Sequence, residues 1–302
     1  MKKLNLPILA LIIANLIWGA ASPIFKFALG NIPPFSLAFI RFLIASCLLY
    51  PIVHKELTYG QLKNRWLWLF AFSGITINIT FFFLGLERTA SINSPIIASA
   101  GPVILLIGSA LFLRERIKKS ALAGTLLSFT GIFIIVFQPI LQNGPQGEII
   151  GNFFLIIATL GYVVSTIAGR KFLTNENTLG STFWSFLIGT LTFLPFMIWE
   201  FESSPGWIAA LDYRGWTGII FGSVFSSAIA YAAYDWALSK LPAYKTGVFT
   251  YLDPITAVAI AIPLLGEQLT VPFLTGSALV FFGILIAERR IPWHPLHKIF
   301  NL

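Results

Sequence analysis

The sequence predicts an all-α integral membrane protein, with ten transmembrane helices arranged as two inverted five-helix repeats. Three observations predict it: long apolar runs, a lopsided distribution of basic residues, and internal self-similarity. Of 302 residues, 57% are hydrophobic and only 11% are charged, where a soluble domain carries about 25% charge. A helix crosses the ~30 Å of hydrocarbon with about 20 apolar residues. Runs of this kind predict spans at 7–29, 35–53, 66–86, 95–113, 121–138, 150–169, 178–200, 215–238, 247–265 and 272–288. They are continuous rather than alternating, which predicts helices and not a barrel. The loops between them are short and hold no appended soluble domain.

The net charge of +8 does not point to nucleic acid, because of where the charge sits. The alternate segments 1–6, 54–65, 114–120, 170–177, 239–246 and 289–302 hold 16 of the 20 Lys and Arg, and the opposite loops hold Arg88 and Arg214. Basic residues stay on the cytoplasmic side. The chain is therefore expected in the plasma (inner) membrane, multi-pass, with both termini cytoplasmic. Cys47, the lone cysteine, falls in a predicted span and reads as a small buried hydrophobe. It forms neither an internal disulfide nor a metal cluster, and no cofactor is expected.

Shifted by 152 residues, 82–137 match 234–289 without a gap. "ASAGPVILLIGSALFLRERI" (98–117) lies over "TYLDPITAVAIAIPLLGEQL" (250–269), with Pro102 on Pro254, Leu113 on Leu265 and Glu115 on Glu267. The earlier spans match at a shift of 144, "LIIANLIWGAASPIFK" (11–26) over "LIIATLGYVVSTIAGR" (155–170). The repeats divide as 1–145 and 146–302. Five spans precede the second copy, and five is odd, so that copy enters the membrane upside down. Inverted repeats of this kind build transporters whose substrate sites lie where the halves meet. "KK" followed by an apolar run and "GAAS" mimics a signal peptide. The same segment recurs in mid-chain, so the first span is read as part of the mature protein.

These residues resemble the drug/metabolite transporter superfamily, in particular its EamA-domain members. The resemblance rests on "WGAASPIFK" (18–26), Arg41, "GPVILLIGSALFLRERI", "LAGTLLSFTGIFII", "LDPITAVAIAIPLLGEQL" and "LTGSALVFFGILI", in order over essentially the whole chain. It implies ten spans from two EamA-like repeats and the export of amino acids or other small metabolites.

Helix faces repeat every 3.6 residues. Asn15, Trp18, Ser22 and Lys26 share one face of span 1, and their equivalents are Thr159, Tyr162, Thr166 and Arg170. Polar groups facing lipid are costly, so these stripes read as two walls of a central cavity. The competing reading is hydrogen-bonded glue between helices. Span 8 adds Ser223, Ser227, Tyr231 and Tyr234, and span 3 adds Asn78. Asp253 is an intramembrane acid. It either binds a substrate amine, carries a proton, or is satisfied by nearby hydroxyls or by Lys at the cytoplasmic edge. Pro254 and Pro102 read as paired kinks. Lys26 is expected to snorkel to headgroups, and Arg41 to take an interior structural or binding role. Glu115 and Glu267 are expected to anchor helix ends, with Thr270 capping span 10. Glycines 124, 131, 276 and 283 are read as close helix contacts.

The expected partners are the lipid bilayer and a small amphipathic solute, with a proton or an exchanged solute for coupling; no ATP-binding motif is present. The alternative is an integral-membrane enzyme or a non-transporting scaffold. His54, His294 and His297 all lie in loops or in the tail, and no nucleophile constellation accompanies them. The basic, aromatic tail "RIPWHPLHKIF" (290–300) is expected at the headgroups.

Overall fold

The computed structural model describes residues 6–101, 104, 119–141, 146–173, 177–241, 246 and 248–288. Pro102, Glu115 and the tail after Glu288 lie outside the described residues. The helices are α1 (Leu6–Leu29), α2 (Pro34–Val53), α3 (Arg65–Arg88), α4 (Asn93–Ala98), α5 (Lys119–Leu141), α6 (Gln146–Leu173), α7 (Thr178–Ser203), α8 (Tyr213–Lys240), α9 (Leu252–Leu265) and α10 (Val271–Glu288). Among the described residues, seven of them (α1–α3 and α5–α8) are long and apolar enough to cross a membrane, and α9 and α10 are shorter apolar helices. Most of the predicted span 95–113 lies outside the described residues, so the count of ten spans rests on the sequence.

Local chemistry sets the ends. α2 opens with Pro34 after an extended Pro33, where a proline's missing N–H is no loss. The side chains of Asn64, Asn177 and Asp212 accept from the N–H groups of Trp66, Gly180 and Arg214 at 3.0, 3.2 and 2.8 Å, satisfying first-turn donors. Thr270 caps α10 as expected, accepting from Phe273 N at 3.2 Å. α9 closes on Gly266, left-handed at φ 66° with its N–H on Ile262 O.

Three features depart from the sequence reading. First, α3 and α8 carry π-wound segments, Phe72–Ile77 and Phe221–Ile229. Second, Pro254 does not kink a continuous helix. A 3-10 turn at Val248–Tyr251 leads into α9, and Pro254 sits in the first turn, where a proline removes no intrahelical bond. Third, Cys47 is exposed. It lies among the exposed Leu43, Leu48 and Ile52, on an apolar face that suits lipid.

Helix directions follow from the contacts. Phe25 meets Phe221, and Trp18 meets Tyr231 and Tyr234, so α1 and α8 are antiparallel. Gly74 faces Ser165 and Gly85 faces Leu155, so α3 and α6 are antiparallel too. Lys26 reaches Leu86, and Arg170 reaches Leu238, making α1 parallel to α3 and α6 parallel to α8. α6 therefore runs opposite to its repeat equivalent α1. The packing has matching symmetry: α1 lies on α8 and α9, α6 lies on α3 and α4, while α2 pairs with α7 and α5 with α10.

The α5–α10 pair is built on the predicted glycines. A Cβ on Gly131 would sit 2.8 Å from Val280 N, and one on Gly276 would sit 2.8 Å from Gly131 O. Ser128 adds a hydrogen bond to Val280 O at 3.3 Å.

Candidate functional site

The two stripes converge on one cavity of about 140 Å³. An apolar cavity of about that size accommodates benzene, so the space suits a small solute. α1 contributes Trp18, Ser22 and Phe25; α6 contributes Tyr162, Ser165 and Thr166; α2, α3, α4, α8 and α9 close the remaining sides.

The aromatic wall is interlocked. Trp18 packs on Tyr231 and Tyr234 with ring centroids 5.1 and 5.0 Å apart. Its indole N–H donates to Ser226 O at 3.1 Å. The Tyr162 and Tyr234 hydroxyls hydrogen-bond at 2.7 Å. A tryptophan from one half and a tyrosine from the other therefore meet through Tyr234. Their polar tips are satisfied, and their faces are left for apolar contact.

The smaller polar residues divide between lining and glue. Asn78 lines the cavity and donates to Ala158 O at 2.8 Å, tying α3 to α6. Thr159 and Thr166 line it while bonding back to Leu155 O and Tyr162 O, both at 2.9 Å. Ser22 lines it. Asn15 does not: it is buried and donates to Leu11 O at 2.7 Å on its own helix. Its polar group is spent on its own helix and does not reach the cavity.

Lys26 also departs from expectation. Its ammonium donates to Leu86 O at 2.7 Å and Thr89 O at 2.5 Å, which closes the C-terminal carbonyls of α3 instead of reaching headgroups. Arg170 does the same for α8, donating to Leu238 O and Ser239 O at 2.9 Å each. Glu267 anchors as expected, accepting from Ser91 N and Ile92 N at 2.7 and 3.1 Å.

Among the described residues, one basic and two acidic side chains line the cavity. Arg41 is 1% exposed. Its Nε and Nη2 donate to Ser227 Oγ and Ser226 Oγ at 3.0 and 3.2 Å, and its guanidinium lies 4.7 and 4.6 Å from the Phe25 and Phe42 ring centres. Asp253 is buried, and its Oδ1 has no hydrogen-bond partner. Asp235 is buried and accepts from Thr182 Oγ1 at 2.7 Å. The sequence reading passed over Asp235 and Ser226. Asp235 follows Tyr231 by four residues, so spacing alone places it on the lining face. Its nearness to the predicted span end at 238 makes it look like a headgroup-level acid. A second overlooked acid, Glu200, accepts from Phe35 N, Ser36 N and Ser36 Oγ at 3.0, 2.6 and 2.8 Å. It caps α2 and has no part in the cavity.

The EamA-like transporter family model matches residues 5–137 and 149–288, one match per half. An uncharacterized transporter from Archaeoglobus fulgidus is 27% identical over 90% of this chain and 95% of its own. The uncharacterized transporter YetK from Bacillus subtilis is 28% identical over 90% of this chain and 84% of its own. A solved crystal structure shares the fold, with a TM-score of 0.66 at 17% identity, over 94% of this chain and 97% of that one. Two family matches in tandem, carried on apolar helices that enclose a buried cavity, place this multi-pass membrane protein in the EamA-like transporter family.

Proposed function

We propose that the chain is a secondary transporter that exports a small amphipathic metabolite, such as an amino acid, by alternating access. One observation carries this reading. Trp18 and Tyr162 occupy equivalent places in two oppositely directed halves, dividing near residue 145, and both line the same cavity. Two similar halves packed about a shared site have two exchangeable arrangements of comparable energy, open to opposite sides. With no ATP-binding motif, uphill movement would draw on an ion or solute gradient. Export is supported by the family resemblance alone. The charge asymmetry supports an inner-membrane location with both termini cytoplasmic.

Reconstitution in proteoliposomes, with and without a proton gradient, tests the reading against a panel of amino acids. Trp18→Ala and Tyr162→Ala are each expected to insert normally and to lose affinity by roughly 1 kcal/mol or more as a stacking surface disappears. Asp253→Asn, which removes charge but keeps size, is expected to weaken transport of amine-bearing solutes. Unchanged affinity in both aromatic variants would reduce the stripes to packing.

A further inference from the structure

Arg41 is the one Lys or Arg among the described residues that lines the cavity, and it is only partly satisfied. Two of its nitrogens hold the hydroxyls of Ser226 and Ser227, consecutive residues of the π-wound segment in α8. The third, Nη1, is buried and has no hydrogen-bond partner. Among the described residues, the ion pairs are Arg88 with Glu87 and Arg214 with Asp212, so no carboxylate neutralises Arg41. Asp235, eight residues beyond Ser227 on the same helix, accepts from Thr182 Oγ1 at 2.7 Å and forms no ion pair with Arg41. A buried charge is tolerated when paired or hydrogen-bonded. Serines and phenyl rings hold Arg41 in place without cancelling its charge, and Nη1 finds no acceptor within the described protein.

We infer that Arg41 is the receptor for a carboxylate on the transported solute, whose apolar body lies against Trp18 and Tyr231. This inference rests on the transport reading above and names the substrate class within it. A planar guanidinium fork suits a carboxylate. A single cation suits a singly charged anion better than a phosphate ester. Lys26 does not line the cavity and is already held by backbone carbonyls, so it does not supply a second positive charge there.

The test is calorimetric titration of the full chain in lipid nanodiscs with matched pairs: leucine against leucinamide, and 3-phenylpropionate against 3-phenylpropionamide. Each acid is expected to bind at least about tenfold more tightly than its amide, since the charge-assisted contact is lost in the amide. Arg41→Gln is expected to abolish that preference, and Arg41→Lys to retain part of it as a point charge. Should Arg41→Gln fail to fold, the acid–amide ratio in the unaltered chain and in Arg41→Lys still decides the matter. Acids and amides binding alike overturns the inference and leaves the transport reading standing. An acid preference that persists in Arg41→Gln does the same. Binding of neither acid nor amide overturns both.

Discussion

The crossing of α1 with α8 and the crossing of α6 with α3 are equivalent under the repeat, yet they are filled from opposite sides. In the first, the Phe25 ring from α1 lies over Gly222 of α8, where a Cβ would come within 2.9 Å of it. In the second, the Phe70 ring from α3 lies over Gly169 of α6, again within 2.9 Å of where a Cβ would stand. Residue 169 is 25 shifted by 144, and 222 is 70 shifted by 152. The phenyl ring has moved to the other helix and the glycine has moved with it. The same exchange occurs where α1 meets α9 and α6 meets α4. A Cβ on Gly19 would stand 2.7 Å from Asp253 O, whereas it is Gly101 whose Cβ would meet Val163, at 3.6 Å. The lesson is that the repeat preserves a glycine contact at each crossing, while the helix that owns the glycine and the one that owns the filling side chain are free to change. Close-packed interiors require the volume, not the donor.

Polarity has diverged along the same register. Gly74, Ile79 and Phe82 of α3 line the cavity at the positions where α8 presents Ser226, Tyr231 and Tyr234. Phe83 corresponds to Asp235, and Gly101 to Asp253. The second half supplies most of the hydroxyls and both acids, against a largely apolar wall from the first.

The strongest way to break this comparison is to move the ring. Gly222→Phe alone puts two rings in one space and is expected to abolish folded protein. Phe25→Gly alone leaves a void and should cost about 3–5 kcal/mol. The double variant, which copies the arrangement of the other crossing, should be more stable than either single one when thermal melting is followed in detergent. A double variant no better than Gly222→Phe would show that the crossings are not interchangeable. The caps sharpen the comparison with a smaller effect. Lys26→Met and Arg170→Met each leave helix-end carbonyls without a donor, at about 1–3 kcal/mol, and the two melting shifts should agree. Unequal shifts would mean that one cation serves something besides the cap. The smallest effect is expected at Asp212, outside the spans. Its carboxyl is held below the usual carboxylate value, chiefly by the hydrogen bond from the Arg214 side chain. Its contribution is present above the usual value and is lost only as pH falls through the lower, folded one. Melting of Asp212→Asn and of the parent should therefore track each other between about pH 5 and pH 8.

The apolar runs, the repeat and the aromatic pair were legible in the sequence because hydrophobicity and spacing encode them directly. Asn15 and Lys26 were not, because a bond back to the residue's own helix and a partner some 60 residues away leave no local signal. Nothing in "FSGITI" or "FGSVFSSAI" announces π winding, which has no compositional mark comparable to a glycine cap. Pro254 misled because a proline inside a hydrophobic run reads alike whether the helix bends there or begins there. Cys47 misled because "buried" in a membrane protein has two meanings, and its side chain lies on the exposed apolar face of α2, not in the protein core.

The glycine contact between α5 and α10 also bears on how the protein is made. Its two sides lie far apart in the chain, with α5 ending at Leu141 and α10 starting at Val271. At translation speeds of about 5–20 residues per second, on the order of ten seconds separate them. Throughout that interval the flat face of α5 meets only lipid or transient neighbours. The seam that fastens the two halves at their far edge therefore closes late in biosynthesis, after the helices that wall the cavity have already been delivered to the membrane.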